Sequence, residues 1–275
     1  MTGAPTITLN DGKTIPQLGF GTWQVEADIA QQSVEKALEV GYRHIDTAAI
    51  YGNEEGVGRG IAASGIPREE IFLTTKLWND DHGAEPARKA INSSLERLGV
   101  DYVDLYLIHW PCPKNKLYVE TWEALQQFHS EGLARSIGVS NFTQETLEEV
   151  IATGMTPVVN QIELHPYFSQ AHMRDVNKQH TVATEAWSPL GQGGDVLENP
   201  VIKEVAQEVE ATTAQVILAW HLALGNIIFP KSVTPERIEE NWAARTVELN
   251  SAQISRISGL TRLDGRIGID PVEFN

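Results

Sequence analysis

Short runs of β-branched and aliphatic residues alternate with longer stretches whose apolar residues recur every three or four positions. The short runs predict strands over Leu18–Gly21, His44–Asp46, Ile71–Lys76, Val103–His109, Ala134–Val139, Val158–Glu163, Val182–Trp187 and Ile227–Phe229. The longer stretches predict helices over Asp28–Val40, Glu54–Ala63, Glu85–Leu98, Tyr118–Ser130, Gln144–Ala152, Gln170–Gln179, Ala214–Leu224 and Pro235–Ala243. Each strand is thus followed by a helix, and strict alternation implies a parallel sheet. Gly41 and Gly132 stand where C-terminal caps would end the first and fourth helices. Asn53 is positioned to open the second helix and Thr143 to cap the fifth. Ahead of all this, Ile7–Leu9 and Thr14–Ile15 flank Asn10-Asp11-Gly12 and read as a β-hairpin.

Eight such units can close into a barrel or lie in an open, doubly wound sheet. The open fold calls for G-x-G-x-x-G after its first strand. Gly19-Phe-Gly21 runs on to Gln24 without the third glycine, and Gly56-Val-Gly58-Arg-Gly60 lacks the spacing and falls in a helix. The pattern therefore predicts a (β/α)8 barrel of the TIM type, with the hairpin plugging its bottom. No linker, repeat or low-complexity tract divides the chain, so residues 1–275 are expected to form one domain.

Composition narrows the partners. The 275 residues carry 21 Lys and Arg against 37 Asp and Glu, a net charge of −16. Such a surface repels phosphate backbones and anionic lipid, which argues against nucleic acid or membrane as a partner. The single cysteine, Cys112, excludes an internal disulfide framework. With no basic-then-apolar leader and no apolar run near the ~20 residues that span a bilayer, the cytoplasm is the expected compartment.

In a barrel of this kind the site is built at the C-terminal ends of the strands. Those positions hold Asp46, Lys76, His109, Ser140-Asn141, Gln161 with Glu163, Trp187-Ser188 and Lys231-Ser232. The first four recur at intervals of 30, 33 and 32 residues, one strand–helix unit each. Tyr51 lies in the loop after Asp46, where it can lean over the strand ends. An ammonium beside a phenol lowers the phenol's pKa, and a carboxylate holds that ammonium charged. The set Asp46, Tyr51, Lys76 and His109 could then protonate and orient a carbonyl oxygen during hydride transfer. No nucleophile elbow, Walker A loop or HExxH is present.

The same residues carry a family resemblance. Gly41-Tyr-Arg-His-Ile-Asp-Thr-Ala-Ala-Ile-Tyr-Gly-Asn-Glu-Glu55 closely resembles the first aldo-keto reductase signature. Ile71-Phe-Leu-Thr-Thr-Lys-Leu-Trp78, Val103-Asp-Leu-Tyr-Leu-Ile-His-Trp-Pro111, Ser136-Ile-Gly-Val-Ser-Asn141 and Val159-Asn-Gln-Ile-Glu-Leu-His-Pro-Tyr167 resemble its further motifs. Phe229-Pro-Lys-Ser232 resembles its late cofactor signature. Trp187-Ser-Pro-Leu-Gly-Gln192 and Gly265-Arg-Ile-Gly-Ile-Asp-Pro271 look most like the bacterial 2,5-diketo-D-gluconate reductases. The resemblance spans essentially the whole chain, and it implies NADPH as cofactor, a catalytic tetrad of Asp46, Tyr51, Lys76 and His109, and a monomer.

It also implies a division of labour around the cofactor. Ser140, Asn141 and Gln161 would hydrogen-bond the nicotinamide carboxamide, and Trp187 would stack on the ring. Ser188, Leu190, Gly191 and Gln192 would cover the pyrophosphate. Lys231, Ser232 and Arg237, around a helix opened by Pro235, would hold a 2′-phosphate, and Glu240 and Asn241 the adenine. Trp23, Trp78 and Trp110 would wall the substrate pocket beside His109.

The short C-terminal tail, broken by Gly265, Gly268 and Pro271, points to small polar carbonyls: keto-sugar acids such as 2,5-diketo-D-gluconate, or α-dicarbonyls such as methylglyoxal. Lys114 and Lys116 would give this acidic protein a basic rim. Cys112, with no paired histidine and no second cysteine, reads as an incidental thiol. Two other readings stand beside this one. A metal-dependent hydrolase would use His44, Asp46, His109 and His165 as ligands, and a non-catalytic NADP(H)-binding barrel would keep the cofactor residues without needing the tetrad.

Overall fold

Hydrogen bonding of the short apolar runs produces a closed barrel in the computed structural model, which describes residues 3–275. The eight strands β3 (Phe20–Gly21), β4 (His44–Asp46), β5 (Phe72–Leu77), β6 (Val103–Ile108), β7 (Ala134–Ser140), β8 (Val159–Glu163), β9 (Ala183–Trp187) and β10 (Ile227–Ile228) pair in chain order, all parallel. Closure is made by a parallel bridge between Leu18 and Ile228. Gly19 N–H donates to the Ile228 carbonyl at 2.8 Å, and Ile228 N–H to that of Gln17 at 2.9 Å. The expected strands are all found, within about one residue at most ends. The first is shorter than predicted, because Leu18 joins the barrel through the closing bridge.

The hairpin of β1 (Thr6–Thr8) and β2 (Thr14–Pro16) is antiparallel, with Ile7 opposite Ile15. Leu9 and Ile15 pack on the barrel-interior residues Leu105, Leu107, Val159 and Ile227. Asn10 donates to the carbonyls of Pro157 at 2.9 Å and Thr181 at 3.2 Å, at the entrances of β8 and β9. The hairpin therefore seals the N-terminal end of the barrel and leaves the other end open for a site.

Helices α1 (Ala27–Val40), α2 (Glu54–Ala63), α3 (Ala84–Leu98), α4 (Tyr118–Ser130), α5 (Gln144–Ile151) and α6 (Ala171–Gln179) follow the strands as predicted. After β9 the alternation breaks. Two helices, α7 (Pro200–Glu208) and α8 (Thr213–Ala223), precede β10, and α9 (Pro235–Ala243) is followed by α10 (Ser251–Ser258). No helix among the described residues is long and apolar enough to cross a membrane.

The expected caps are present. Thr143 makes a capping box with Thr146, and Gly41 N–H returns to the Ala37 carbonyl. Gly132, at φ 82°, donates to the His129 carbonyl just past α4. Asn53 differs from expectation: its side chain does not cap α2 but donates to the carbonyls of Thr22 and Val25, both at 2.9 Å. It thereby ties the loop after β4 to the loop after β3.

The glycines of Gly56-Val-Gly58-Arg-Gly60 have a packing reason. A Cβ on Gly58 would lie 2.2 Å from the Leu98 carbonyl oxygen, and one on Gly56 or Gly60 would press on α1 at 2.8 Å. We expect Gly58→Ala to destabilise the fold by about 1–3 kcal/mol, despite alanine's better helix propensity, because backbone cannot yield as a side-chain tip can. Urea unfolding checks this; an unchanged or higher midpoint would show that α2 and α3 can separate freely.

Candidate active site

Parallel pairing carries Asp46, Lys76 and His109 to the same end of the barrel, Lys76 two residues beyond Thr74, the register partner of Asp46, and His109 two beyond Leu107, the partner of Lys76. Asp46 ends β4, Lys76 lies one residue before the end of β5, and His109 follows β6, its N–H bonded to the Leu77 carbonyl. Lys76 is wholly buried, and its ammonium donates to Asp46 Oδ1 at 2.7 Å and to the Thr47 carbonyl at 2.8 Å. Tyr51, in a 3-10 turn closed by Gly52 at φ 66°, brings its ring centroid to 5.3 Å from Lys76 Nζ and 5.8 Å from the His109 ring. The four residues of the expected tetrad are thus assembled at one end of the barrel.

Electrostatics there are set by burial. Burial opposes charge on Lys76, but Asp46, through its charge and its hydrogen bond, holds the ammonium above its ordinary range. Burial pushes the Tyr51 phenol up. Lys76 pulls it down, through charge and hydrogen bonding, without cancelling the rise. The sequence-based expectation of a net lowered phenol is therefore corrected: in the folded chain alone desolvation wins. Burial, with the nearby Lys76 charge second, drives His109 well below its ordinary value, so its imidazole is neutral.

A second layer backs this group. Gln161 on β8 donates to Asp46 Oδ2 at 3.0 Å and to Glu185 Oε2 at 2.9 Å. Its carbonyl accepts from Ser140 Oγ and from Asn141 N–H, both at 2.8 Å. Asn141, at φ 62°, donates through Nδ2 to the His109 carbonyl at 2.9 Å and accepts from Trp187 Nε1 at 2.8 Å. Ser140, Asn141, Gln161 and Trp187 are therefore one connected unit. Beyond it the chain turns sharply through Ser188, Leu190, Gly191 and Gln192, with Gly191 and Gln192 at φ near 57° and 56°. Gln192 Nε2 lies 3.5 Å from Ser188 Oγ.

Lys231, Ser232 and Arg237 cluster at the start of α9. Pro235, which has no N–H, occupies its first turn, Thr234 makes no side-chain cap, and the N–H groups of Arg237 and Ile238 both return to the Thr234 carbonyl at 3.1 Å. Ser232 Oγ accepts from Thr234 N–H at 3.1 Å. Lys231 and Arg237 are exposed and make no ion pair among the described residues. Glu240 is half-buried, its carbonyl held by Gln215 Nε2 at 3.1 Å, and Asn241 is buried on the same helix.

Around the mouth, the Trp78 ring meets the His109 ring edge-on at 5.3 Å. Trp110 and Trp78 both face Phe274, at 4.8 and 6.2 Å between centroids. Trp23, in the loop after β3, is 40% exposed and shares no ring contact with them. Phe274 is a wall residue that the sequence reading missed. The tail reaches it along a strap. Ile267 and Gly268 N–H groups donate to Glu163 at 2.6 and 2.8 Å, and a Cβ on Gly268 would lie 2.5 Å from the Trp187 ring. Lys114, expected as part of an open basic rim, instead holds the tail end: its N–H meets Asn275 at 2.7 Å and its ammonium the Glu273 carbonyl at 3.4 Å. A short tail therefore does not mean an uncovered mouth.

Other candidates resolve by position. His44 places its ring nitrogens 3.1 Å from the Pro16 carbonyl and from Thr74 Oγ1, between the rings of Phe72 and Phe229. It is a core histidine facing neither His109 nor His165. His165 Nε2 pairs with Glu163 at 3.1 Å. Cys112 is buried, and burial, with Asp80 nearby, pushes its thiol up to about 11, against any role as a ready nucleophile.

Comparison with known proteins identifies the family. The profile of the Aldo/keto reductase family matches residues 17–262. An aldo-keto reductase of Mycolicibacterium smegmatis is 52% identical over 273 residues, covering 99% of this chain and 98% of its own. Methylglyoxal reductase DkgA of Escherichia coli strain K12 is 46% identical over 276 residues, covering 100% and 99%. The crystal structure of a Gox0644 mutant in complex with NADPH superposes with a TM-score of 0.95 at 44% identity, over the full length of both chains. Matched over nearly its whole length in sequence and in fold, the chain belongs to the aldo/keto reductase family of oxidoreductases.

Proposed function

We propose that the protein reduces small carbonyl compounds with NADPH, with Tyr51 as the general acid. The observation that carries the reading is the assembled set of Asp46, Lys76, Tyr51 and His109 at the open end of the barrel. NADPH, when bound, supplies the hydride. The donor set fits it. Lys231 and Arg237 are cations with no ion-pair partner among the described residues of a strongly acidic protein, at a helix N-terminus suited to phosphate. Trp187 presents a ring fixed by Asn141 for stacking, and Gln161 backs the same space.

At the reacting carbonyl, Tyr51 is protonated in the working range and can deliver its proton to the oxygen. Lys76, locked charged by Asp46, stabilises the phenolate left behind. His109 is neutral, and its Nδ1 is buried without a partner. The tautomer carrying hydrogen on Nε2 avoids an orphaned buried donor, so Nε2–H is the group that orients the carbonyl oxygen. A non-catalytic cofactor-binding barrel has no use for a buried lysine held against a tyrosine, which favours the enzyme. The compartment that fits is the cytoplasm and the expected state a monomer.

Substrates are small: α-dicarbonyls such as methylglyoxal, or keto-sugar acids such as 2,5-diketo-D-gluconate. Phe274, Trp78 and Trp110 crowd the mouth, and DkgA relatives carry the name methylglyoxal reductase. Ranking kcat/KM for methylglyoxal, diketo-gluconate and a bulky cyclic ketone tests this. The small substrates should lead, and a bulky ketone in first place would overturn the substrate class. For the cofactor, Arg237→Ala should raise Kd for NADPH about tenfold and leave NADH nearly unchanged, since only NADPH has the phosphate that a charge-assisted bond can reach. Equal weakening of both would make Arg237 structural.

A further inference from the structure

One buried carboxylate has no part in this chemistry. Glu185 sits mid-strand on β9, wholly buried, two residues before Trp187 and so on the same inner face of the strand. It is in register with Gln161 and accepts from Gln161 Nε2 at 2.9 Å, and its Oε1 is sealed in with no partner. The same Nε2 also donates to Asp46 Oδ2 at 3.0 Å. Both hydrogens of the Gln161 amide are thereby committed to carboxylates on opposite sides, which leaves Oε1 as that amide's one polar atom for a ligand.

We propose that Glu185 is a positioning residue for the cofactor: with Asp46 it fixes the Gln161 amide so that Oε1, an acceptor, faces the N–H groups of the nicotinamide carboxamide. The proposal rests on the reading of Gln161 as a cofactor contact. Without Glu185 the amide can rotate and present a mixture of donor and acceptor. The charges facing Glu185 are Asp46 from β4 and Lys76 from β5; its neighbour on β10 is the apolar Ile227. Burial first, and Asp46 second, push its carboxyl up to about 8, so at neutral pH it is mostly a neutral acid, accepting from Gln161 through its carbonyl oxygen. Kept neutral, it adds no second negative charge beside the Asp46–Lys76 pair.

The test compares NADPH dissociation constants, by tryptophan fluorescence, for Glu185→Leu, Glu185→Gln and Gln161→Ala at neutral pH. One lost hydrogen bond predicts a rise of about fivefold to tenfold for Glu185→Leu. Glu185→Gln, which keeps the acceptor, should restore near wild-type affinity. Gln161→Ala should weaken NADPH at least as much as Glu185→Leu. A Glu185→Leu enzyme that binds NADPH like wild type, beside a weakened Gln161→Ala, overturns the proposal alone. An unweakened Gln161→Ala overturns the reading of Gln161 and the proposal with it.

Should Glu185→Leu fail to fold, Glu185→Ala takes its place in the NADPH comparison, with the same outcomes; the protonation state is read separately, in the cofactor-free protein, through Glu185→Gln. The folded carboxyl is raised above its ordinary value of 4.5, so wild type loses stability, relative to the glutamine variant, as pH climbs from about 4.5 to about 8, and no further above that. A wild-type Tm that falls relative to that of the glutamine variant across this window and then levels supports the neutral, Gln161-bonded acid. A difference independent of pH overturns it.

Discussion

Tyr51→Phe is expected to lower kcat for carbonyl reduction by about 10²–10⁴-fold while leaving the NADPH dissociation constant nearly unchanged. The variant removes one oxygen and retains the ring that packs against His109 and lies over Lys76. Nothing in the second layer of Ser140, Asn141, Gln161 and Trp187 hydrogen-bonds to the phenol, so the cofactor side should not register the change. The phenol of the folded chain stands above its ordinary range, which keeps it protonated and ready as a donor through neutral pH. A variant retaining more than a tenth of the wild-type kcat would remove Tyr51 from the acid role.

Lys76→Met should be costly in two separable ways. Asp46 and Lys76 are both buried, and the ammonium carries the closest contact to the carboxylate, at 2.7 Å. Removing one partner of a buried pair leaves an uncompensated charge, which typically destabilises by about 3–5 kcal/mol. Gln161 still donates to Asp46 and softens this, so the lower end is expected. Converting Asp46 to Asn in the same chain removes the stranded charge and should recover much of the loss, whereas kcat should stay low in both, because nothing remains to stabilise the Tyr51 phenolate. Urea midpoints and kcat for the two singles and the double form a cycle. Full recovery of kcat in the double variant would show that Lys76 serves folding rather than catalysis.

The legible part of this molecule follows from periodicity and from residues out of place. Asp46, Lys76 and His109 stand out because a charged or ionisable group ending an apolar strand has no packing reason to be there, and spacings of 30 and 33 residues tie them to successive units. Tyr51 and Trp187 were reachable because they lie next to such ends. Glu185 was not, because within Ala183–Trp187 it reads as a polar break in a weak strand, and only the register with Gln161 reveals its partner. Helices α7 and α10 escaped because they are additions to the strand–helix repeat, although Asn199-Pro200 and the Asn250–Gln253 capping box were usable signals. Phe274 could not be found from pattern at all: its place depends on Glu163 catching two backbone N–H groups of an irregular tail. Asn53 shows a milder failure, a residue of capping type drawn instead to two nearby loop carbonyls.

The central claim, hydride delivery from NADPH to a small carbonyl at this strand-end site, is tested most directly by isotope transfer. Purified protein would be incubated with NADPH deuterated at the transferring position of the nicotinamide and with methylglyoxal, and the product alcohol examined by mass spectrometry. The account predicts one deuterium on the new carbinol carbon, formed in step with NADPH oxidation and nearly abolished in Tyr51→Phe. Binding of NADPH without oxidation, across methylglyoxal and the diketo-gluconate alike, would contradict it.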